Sequence, residues 1–263
     1  MTRTALVTGA SSGIGRATAA ALVARGYTVI GTSRSTQPAD HVPGVEWAGL
    51  DRVDPASVEA LADRLAGVDV LVNNAGESQS GPLEHLPAHA LERLFRLNVL
   101  APVRLTQLAL PGMRARGHGR VVMVGSMLAS FPLAYRSSYV ATKAAIKGFA
   151  DAARLEVAPF GVHITTVEPG SINTGISERR TAYDADDSVY AARFATMLAA
   201  LNRNEARGTA ADDVAATIVR AIEAGRPKPL YAIGSRAPVV FALRRLVPYD
   251  TVLRLTARTH GLR

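Results

Sequence analysis

Short apolar runs alternate with longer amphipathic stretches along most of the chain, and this alternation limits the folds open to it. It is typical of βαβ units, in which helices connect parallel strands. Val121–Val124 is apolar throughout, as expected for a strand covered on both faces. We therefore predict an α/β fold with a doubly wound parallel sheet of about seven strands and helices on both faces. The predicted strands are Thr4–Val7, Thr28–Thr32, Val45–Leu50, Val68–Val72, Arg120–Gly125, His163–Val167 and Pro229–Ile233.

The stretches between these strands predict helices, several of which end near glycine. Gly26 and Gly67 follow the first two, whereas Pro102 and Pro111 interrupt the third. Thr209 is the predicted N-terminal cap of the last helix between strands. The predicted helices are Ala17–Arg25, Pro55–Leu65, Pro87–Arg116, Ser138–Ala158 and one that ends at Glu223.

Composition excludes several classes of function. Of the 263 residues, 48% are hydrophobic and 20% charged, which suits a soluble domain with a sizeable core. The chain has no cysteine, which rules out a disulfide framework, a thiolate nucleophile and an iron–sulfur site. No apolar run approaches the roughly 20 residues that span a bilayer, and no signal peptide precedes the first strand. We therefore expect a cytoplasmic protein.

The net charge of +8 is concentrated near the C-terminus. Residues 226–263 hold eight basic residues against Asp250 alone, whereas residues 1–225 hold 22 basic and 21 acidic residues. A protein that binds nucleic acid clusters lysine and arginine on the surface that meets phosphate, and the body of this chain has no such cluster. We therefore expect no nucleic-acid partner.

The C-terminal residues 236–263 are predicted to form a basic amphipathic tail after one domain of residues 1–235. Apolar residues recur there at helical spacing, with arginines largely off that stripe. Such a helix can lie on an anionic membrane surface, or it can pack on the domain or on a second subunit. Because the stripe is short and lacks tryptophan, we favour packing and keep peripheral membrane contact as the alternative. The stripe consists of Val239, Val240, Leu243, Leu246 and Val247.

A glycine-rich turn follows the first strand and leads into the first helix. Its glycines are spaced GxxxGxG, so the backbone can approach a pyrophosphate while the helix N-terminus offers free N–H donors. A glycine-rich loop alone is often only a loop, but the flanking strand and helix favour a Rossmann-type dinucleotide-binding turn. The predicted cofactor contacts in it are Gly9, Ser11, Ser12, Gly13, Ile14 and Gly15.

The residues at the end of the second strand predict which dinucleotide binds. In this fold an acidic residue there binds the ribose 2′-hydroxyl, whereas an arginine accommodates a 2′-phosphate. Ser33 occupies that position and Arg34 follows it. We therefore expect NADP(H), with Arg34 at the phosphate and Arg16 as a candidate second contact. The competing interpretation is that either arginine is a solvated surface charge.

Three polar residues form the candidate catalytic group. Tyr139 and Lys143 are four residues apart in a predicted helix, so their side chains share one face. An ammonium beside a tyrosine stabilises the phenolate and brings the phenol pKa closer to the range useful for acid–base chemistry. Most tyrosine–lysine pairs at this spacing lie on a surface. Here Ser126 ends a predicted strand, where ligands of doubly wound sheets bind, and this favours a site.

Together these motifs resemble the short-chain dehydrogenase/reductase family over about residues 4–233. The resemblance implies that Tyr139 donates and accepts the proton, and that Lys143 lowers its pKa and bonds the nicotinamide ribose. It also implies that Ser126 orients the substrate oxygen and that Asn98 holds a water between Lys143 and solvent. The matching motifs are Thr8–Gly15, Asn73–Gly76, Asn98, Ser126, the pair Tyr139 and Lys143, and Pro169-Gly170.

The resemblance implies further cofactor contacts and shows two departures. Arg52 stands where the family usually has a small aliphatic residue, and Gly125 replaces a frequent serine. We expect little effect from either. The implied contacts are Asn74, Ala75 and Gly76 at the adenosine ribose, Asp51 at the adenine, Ile172 and Thr174 at the carboxamide, and Pro169.

Some stretches, among them Gly81–Glu84 and Arg226–Pro229, resemble the branch that contains 17β-hydroxysteroid and retinol dehydrogenases. The branch implies hydride transfer to or from an apolar carbonyl or alcohol that is steroid-, retinoid- or fatty-like. Residues 176–204 would form a lid over it, and family members are commonly homodimers or homotetramers. The predicted substrate contacts are Ser126, Met127, Leu133, Tyr139, Ser171 and Tyr183, with Ile176 a further candidate. The competing interpretation is that Met127, Leu133, Ser171, Ile176 and Tyr183 only pack in the core or the lid.

Two other functions remain open. A non-catalytic NADP(H)-binding regulator would not need Ser126, Tyr139 and Lys143 together, which argues against it. A 3-oxoacyl-thioester reductase would need a basic patch to dock its carrier protein, and the body of the chain shows none.

No metal site is expected. His85 and His89 have a ligand-like spacing, but Pro87 lies between them and no third ligand is near. The acidic pairs Asp186-Asp187 and Asp212-Asp213 are interpreted as charges that offset the dipoles at helix starts.

Overall fold

Each predicted strand is present, with bounds within two residues of those expected. The computed structural model describes residues 3–36, 41–175, 178–183 and 188–262. The strands are β1 Thr4–Thr8, β2 Thr28–Ser33, β3 Val45–Gly49, β4 Val70–Asn73, β5 Gln79–Ser80, β6 Gly119–Val124, β7 Val162–Pro169, β8 Ile172–Asn173, β9 Thr181–Ala182, β10 Thr209–Ala210 and β11 Leu230–Ile233. The α-helices are α1 Gly13–Val23, α2 Pro55–Glu59, α3 Ala62–Ala66, α4 Ala88–Phe95, α5 Ala101–Ala115, α6 Ser137–Val157, α7 Ala191–Ala206, α8 Ala211–Glu223, α9 Ala237–Arg244 and α10 Tyr249–Thr259.

The predicted doubly wound sheet is confirmed. Among the described residues, seven strands pair in parallel in the order β11-β7-β6-β4-β1-β2-β3. Leu6 at its centre is opposite Ile30 on one side and Leu71 on the other. The strand order reverses between β1 and β4, and a crevice opens beyond the carboxyl ends of the strands at such a point.

Successive residues of the central strands pack into two hydrophobic cores, one on each face of the sheet. Leu71 packs in the core that contains Leu105 of α5, whereas Val70 and Val72 pack in the core that contains Ile218 of α8. Both faces are therefore buried, which explains why these strands are apolar throughout.

Three helix predictions need correction. The stretch from Pro55 forms two short helices, α2 and α3, because the chain turns at Ala60. Neither Pro102 nor Pro111 interrupts the helix: α4 continues through a π-helical turn, Arg96–Leu100, into α5, where Pro111 lies inside the helix and Pro102 in its first turn. Proline has no backbone N–H, and this costs least in the first turn, where an N–H would have no partner within the helix. Thr209 does not cap α8, whose N-cap is Ala210 without a side-chain hydrogen bond.

The predicted lid is represented by α7 in the described part of the chain. Phe194, Met197 and Leu201 of this helix are buried against Leu262 near the end of the tail. Ile176 and the pair Asp186-Asp187 lie outside the described residues.

The tail forms two helices that pack only partly on the domain. Phe241 of α9 meets Phe131 edge to face, with ring centroids 5.1 Å apart, and Val252 of α10 is buried. Leu243 and Leu246 of the predicted stripe are 51% and 80% exposed. Of the helices described, none has both the length and the apolar character needed to cross a membrane.

Candidate active site

A cleft of about 1490 Å³ runs across the carboxyl ends of the strands. Ordinary small-molecule pockets measure about 300–1,000 Å³, so this cleft has room for a dinucleotide together with a substrate. Most of the predicted site residues line it. These are Gly9, Ser11, Ser12, Gly13, Ile14, Arg34, Asp51, Asn74, Ala75, Gly76, Ser126, Met127, Tyr139, Lys143, Pro169, Ser171, Ile172 and Thr174.

The turn between β1 and α1 fits a pyrophosphate because its glycines leave parts of the backbone free of side chains. Gly9 and Gly13 have φ angles of +66° and +52°, which glycine adopts without strain. Gly15 lies beneath the cleft wall, where a Cβ would come within 2.2 Å of the Gly9 carbonyl oxygen. Ser12, the N-cap of α1, makes no side-chain hydrogen bond to the helix. The N–H groups of its first turn therefore remain available to a phosphate.

Thr8 and Asn74 fasten the end of β4 to this turn. Thr8 Oγ1 accepts hydrogen bonds from the backbone N–H groups of Asn74 and Ala75, both at 3.0 Å. Asn74 Nδ2 donates to the Thr8 carbonyl oxygen at 2.9 Å. The predicted ribose contacts and the phosphate turn therefore form one continuous wall.

Three arginines differ in how they meet the cleft. Arg34 is exposed directly after β2 and lines the cleft, whereas Arg16 is exposed on α1 and is not among the described residues that line it. Arg52 was expected to matter little, yet its side chain reaches inward and donates to the Leu97 carbonyl oxygen at 3.2 Å. Burial lowers the pKa of Arg52 to about 10, while the Glu77 carboxylate opposes that change. Arg52 therefore stays charged at neutral pH inside the cleft.

Ser126, Tyr139 and Lys143 come together in the cleft. Ser126 follows β6 and lies beside Tyr139 on α6, and its Oγ accepts from the Leu128 N–H at 3.2 Å. Lys143 lies one turn further along α6, and its Nζ donates to the Val124 carbonyl oxygen at 2.9 Å. Each of the three residues is at most 8% exposed. The structure therefore assembles the group that the sequence singled out.

Burial sets the protonation states of this group. It raises the pKa of Tyr139, whereas the charge of Arg136 and the neighbouring Ser126 hydroxyl oppose that rise. Burial, and secondarily the charge of Arg52, lowers the pKa of Lys143 to about 8. At neutral pH Tyr139 is therefore a protonated phenol, the form that can donate a proton, beside a largely charged ammonium.

Asn98 lies in the π-helical turn and binds the backbone of Glu77. Its Oδ1 accepts from the Glu77 N–H at 3.0 Å, and its Nδ2 donates to the Glu77 carbonyl oxygen at 2.9 Å. A Cβ on Gly76 would lie 3.4 Å from Asn98 Oδ1 and 3.5 Å from Lys143 Nζ. The absence of a side chain at Gly76 therefore leaves space between the amide and the ammonium.

The sequence profile described as short chain dehydrogenase matches residues 3–184, more than half of the chain. This chain belongs to the short-chain dehydrogenase family. Members of the family are oxidoreductases that bind a nicotinamide cofactor and act on small carbonyl or alcohol substrates.

Three known proteins illustrate the range of its relatives. The chain is 29% identical to a 3-ketodihydrosphingosine reductase of Bacteroides thetaiotaomicron over 259 residues, 96% of each chain. It is 30% identical to the NADPH-dependent 3-dehydrocapnine reductase of Ornithobacterium rhinotracheale over 263 residues, 94% of this chain and 93% of that protein. It is 36% identical to a 3-oxoacyl-(acyl-carrier-protein) reductase of Vibrio cholerae over 194 residues, 68% of this chain and 80% of that protein.

A solved structure agrees with the fold. The crystal structure of a short-chain dehydrogenase from Streptomyces avermitilis superimposes with a TM-score of 0.80 at 35% identity, over 97% of this chain and 99% of that one.

Two predicted substrate contacts of this short-chain dehydrogenase are not among the described residues that line the cleft. Leu133 is 3% exposed and packs with Phe194 and Met197 of α7. Tyr183 follows β9, and its N–H donates to the Ser80 carbonyl oxygen at 2.8 Å. Leu133 therefore supports α7, and Tyr183 ties the segment before α7 to β5.

The tail of the dehydrogenase contributes cleft residues that the sequence interpretation missed. Apolar side chains of the tail line the cleft, as do Met127 and Ser171. Three of these tail residues belong to the predicted stripe, whose helical spacing indicated that they would pack but not that they would face the cleft. The apolar tail residues that line the cleft are Val240, Leu243, Val247, Val252 and Leu255.

Proposed function

We propose that this dehydrogenase is an NADP(H)-dependent enzyme that transfers hydride between the nicotinamide and the carbonyl or alcohol carbon of an apolar substrate. The observation that carries the proposal is the buried group of Ser126, Tyr139 and Lys143, which lines the same cleft as the glycine turn. This group can hold a substrate oxygen and exchange a proton with it.

When bound, the nicotinamide supplies the hydride for reduction and takes it up in oxidation. In reduction, Tyr139 donates its phenolic proton to the carbonyl oxygen, while Ser126 hydrogen-bonds the same oxygen and holds it close to the phenol. In oxidation, the Tyr139 phenolate takes the proton of the alcohol. Lys143 bonds the nicotinamide ribose, and a water at Asn98 links Lys143 to solvent through the space beside Gly76.

The remaining cofactor contacts follow from the walls of the cleft. The glycine turn would hold the pyrophosphate at the N-terminus of α1. We assign Asn74–Gly76 to the adenosine ribose, Asp51 to the adenine, and Ile172 and Thr174, after Pro169, to the carboxamide.

Selectivity for NADP(H) is proposed from Arg34, whose exposed guanidinium lines the cleft at the end of β2. An arginine there can pair with a 2′-phosphate. Position 33 is serine, so it offers no carboxylate to bind the free 2′-hydroxyl of NAD(H). The name of the Ornithobacterium relative supports the same cofactor.

The apolar substrate is proposed from the tail residues that line the cleft. Val240, Leu243 and Leu255 add apolar lining to a cleft that also holds the polar group of Ser126, Tyr139 and Lys143. A reactive carbonyl on a long apolar body fits this lining, as in steroid-, retinoid- or fatty-like compounds. The names of the Bacteroides and Ornithobacterium relatives describe 3-keto or 3-dehydro substrates, which supports reduction of a carbonyl near a polar end.

The experiment is a screen of NADPH oxidation over steroid, retinoid, long-chain 3-keto and aromatic carbonyls, followed at the nicotinamide absorbance. We expect turnover with a long apolar carbonyl and weaker turnover with its short-chain homologue, because only the long one reaches the apolar tail residues that line the cleft. Uniform inactivity together with measured NADPH binding would favour a non-catalytic regulator instead.

A 3-oxoacyl thioester belongs in the same screen as a second candidate substrate. The Vibrio relative carries that activity in its name, and Arg236 and Arg244 of the tail line the cleft, where they could meet an acidic carrier. A strong preference for the carrier-bound thioester over a free apolar ketone would move the assignment to this class.

Peripheral membrane contact is proposed for the tail, since Leu243 and Leu246 remain exposed beside several arginines. We expect Leu246→Gln to weaken flotation of the full chain with vesicles that contain phosphatidylglycerol. Leu83→Gln, at a site 70% exposed before α4, is the matched control and should float unchanged. No difference between these two variants would remove the membrane proposal.

Assembly into a homodimer or homotetramer is proposed from the family and from apolar side chains outside the cleft. Leu100, at the end of the π-helical turn before α5, and Phe149 and Leu155 of α6 are 56%, 49% and 76% exposed. Exposed large apolar side chains of this kind can form subunit contacts.

A further inference from the structure

Arg136 is a buried arginine that the proposed mechanism does not use. It directly precedes α6 and is 2% exposed. Its Nη1 donates to the Gln79 carbonyl oxygen at 3.1 Å and to Ser80 Oγ at 2.9 Å, whereas its Nε has no partner among the described residues. Glu205, the acidic group that faces it, is ion-paired with Arg180. A buried charge so placed needs another source of stabilisation.

The ring of Tyr139 supplies that stabilisation. The guanidinium carbon of Arg136 is 4.4 Å from the centroid of the Tyr139 ring, well within the range of cation–π attraction. The Lys143 ammonium lies further away, 5.7 Å from the same centroid, and its hydrogen bond goes to the Val124 carbonyl oxygen. Of these two cations, Arg136 is therefore packed more closely against the proposed proton donor.

The backbone before α6 holds Arg136 in this position. Tyr135 has a φ of +63°, a left-handed conformation that is strained for a residue other than glycine. Its carbonyl oxygen accepts from the Gly81 N–H at 2.9 Å, directly after the β5 residues that bind Arg136. Strain that the neighbouring structure maintains next to an active site is consistent with a functional demand on the following side chain.

We propose that Arg136 is a positioning residue for the proton transfer, whose guanidinium stabilises the Tyr139 phenolate and holds the ring against Ser126. This inference rests on the proposed function, because Arg136 acts only through Tyr139. A phenolate carries more negative charge than a phenol, so a cation stacked on the ring favours the phenolate. The effect is largest in alcohol oxidation, which starts from that form.

Other charged groups face Tyr139 and set the background for a test. Arg180 lowers and Glu205 raises the pKa of Tyr139 because their charges are opposite. These two residues are ion-paired, so their effects on Tyr139 partly cancel. Lys143 lies further from the ring than Arg136 does, and burial lowers its own pKa to about 8. The charge of Arg136 is the largest influence that opposes the rise in the pKa of Tyr139 caused by burial. Removal of that charge should therefore raise the pKa further.

The test replaces Arg136 with methionine, which keeps an unbranched side chain and removes the charge. Tyrosinate absorbance is titrated in the full chain, and the signal of Tyr139 is obtained by subtracting the same titration of a Tyr139→Phe variant. We expect the pKa of Tyr139 to rise by about one unit or more. The pH profile of alcohol oxidation should move to higher pH by the same amount, with an about tenfold loss at pH 7.

Two further variants separate charge from structure. Arg136→Lys keeps the charge and should recover part of the lost oxidation and move the profile back. Arg154→Met removes an arginine at the far end of α6, where Nη1 donates to the Ile164 carbonyl oxygen, and should leave the profile unchanged. Lower melting temperatures in Arg136→Met with an unmoved titration and pH profile would overturn the inference.

This outcome differs from failure of the proposed function. If the inference alone is wrong, Tyr139→Phe still abolishes turnover while the Arg136 variants keep the original pH profile. If the proposed function is wrong, Tyr139→Phe retains turnover whatever the Arg136 variants do. An unchanged tyrosinate titration in Arg136→Met counts against the inference in either case, because that measurement needs no substrate.

Discussion

Replacement of Tyr139 with phenylalanine is expected to lower turnover by about 10²- to 10⁴-fold, the range that a positioned general acid or base contributes. The Tyr139 hydroxyl lies beside Ser126, and burial raises its pKa, which keeps it protonated at neutral pH. Phenylalanine fills the same volume and keeps the ring on which the Arg136 guanidinium packs. The variant therefore removes the transferable proton while it preserves the packing around it.

The measurement is steady-state NADPH oxidation with the best carbonyl from the substrate screen. Binding of NADPH, followed by its fluorescence, should change little, so the loss should appear in kcat rather than in cofactor affinity. Tyr231→Phe is the matched control, since the Tyr231 hydroxyl accepts a hydrogen bond from the Lys228 N–H in a loop before β11. Near-normal kcat in Tyr139→Phe would contradict the mechanism, whereas normal kcat in Tyr231→Phe is expected.

The sheet and the grouping of Ser126, Tyr139 and Lys143 in one cleft could be predicted because both depend on local sequence signals. An apolar run such as Val121–Val124 marks a buried strand wherever it lies, and the spacing of Tyr139 and Lys143 places them on one helix face. Ser126 needed one further step, the rule that ligands bind beyond the carboxyl ends of parallel strands. Each of these inferences used one element and its immediate neighbours in the chain.

The parts that escaped prediction depend on contacts between segments distant in sequence. Leu133 resembles a pocket residue in sequence, but α7, about 60 residues later, covers it. Arg136 resembles a surface arginine, and only its hydrogen bonds to Gln79 and Ser80 show that it is buried. The tail stripe was visible, but no sequence pattern indicated that part of it would face the cleft. These outcomes are set by tertiary packing, which a single sequence does not reveal.

Replacement of Arg34 with aspartate is expected to lower the ratio of NADPH to NADH catalytic efficiency by about 100-fold or more. A charge-assisted hydrogen bond contributes about 1.5–3 kcal/mol, and each 1.4 kcal/mol corresponds to a factor of ten. The substitution removes such a bond to the 2′-phosphate and puts a like charge in its place. The new carboxylate can also accept a hydrogen bond from the ribose 2′-hydroxyl of NADH, so efficiency with NADH should rise as efficiency with NADPH falls.

Arg16→Asp distinguishes this specific effect from a general change of charge. Both arginines are exposed and both substitutions change the net charge equally, but only Arg34 lines the cleft. Attraction through solvent is screened within about 10 Å at 0.1 M salt, so a general charge effect should weaken with salt in both variants. If Arg34 contacts the phosphate, the loss of NADPH preference should instead persist at high salt, and only in Arg34→Asp. Equal changes of the efficiency ratio in the two variants would mean that both arginines contact the 2′-phosphate. An unchanged ratio in Arg34→Asp would mean that the phosphate does not bind at this end of β2.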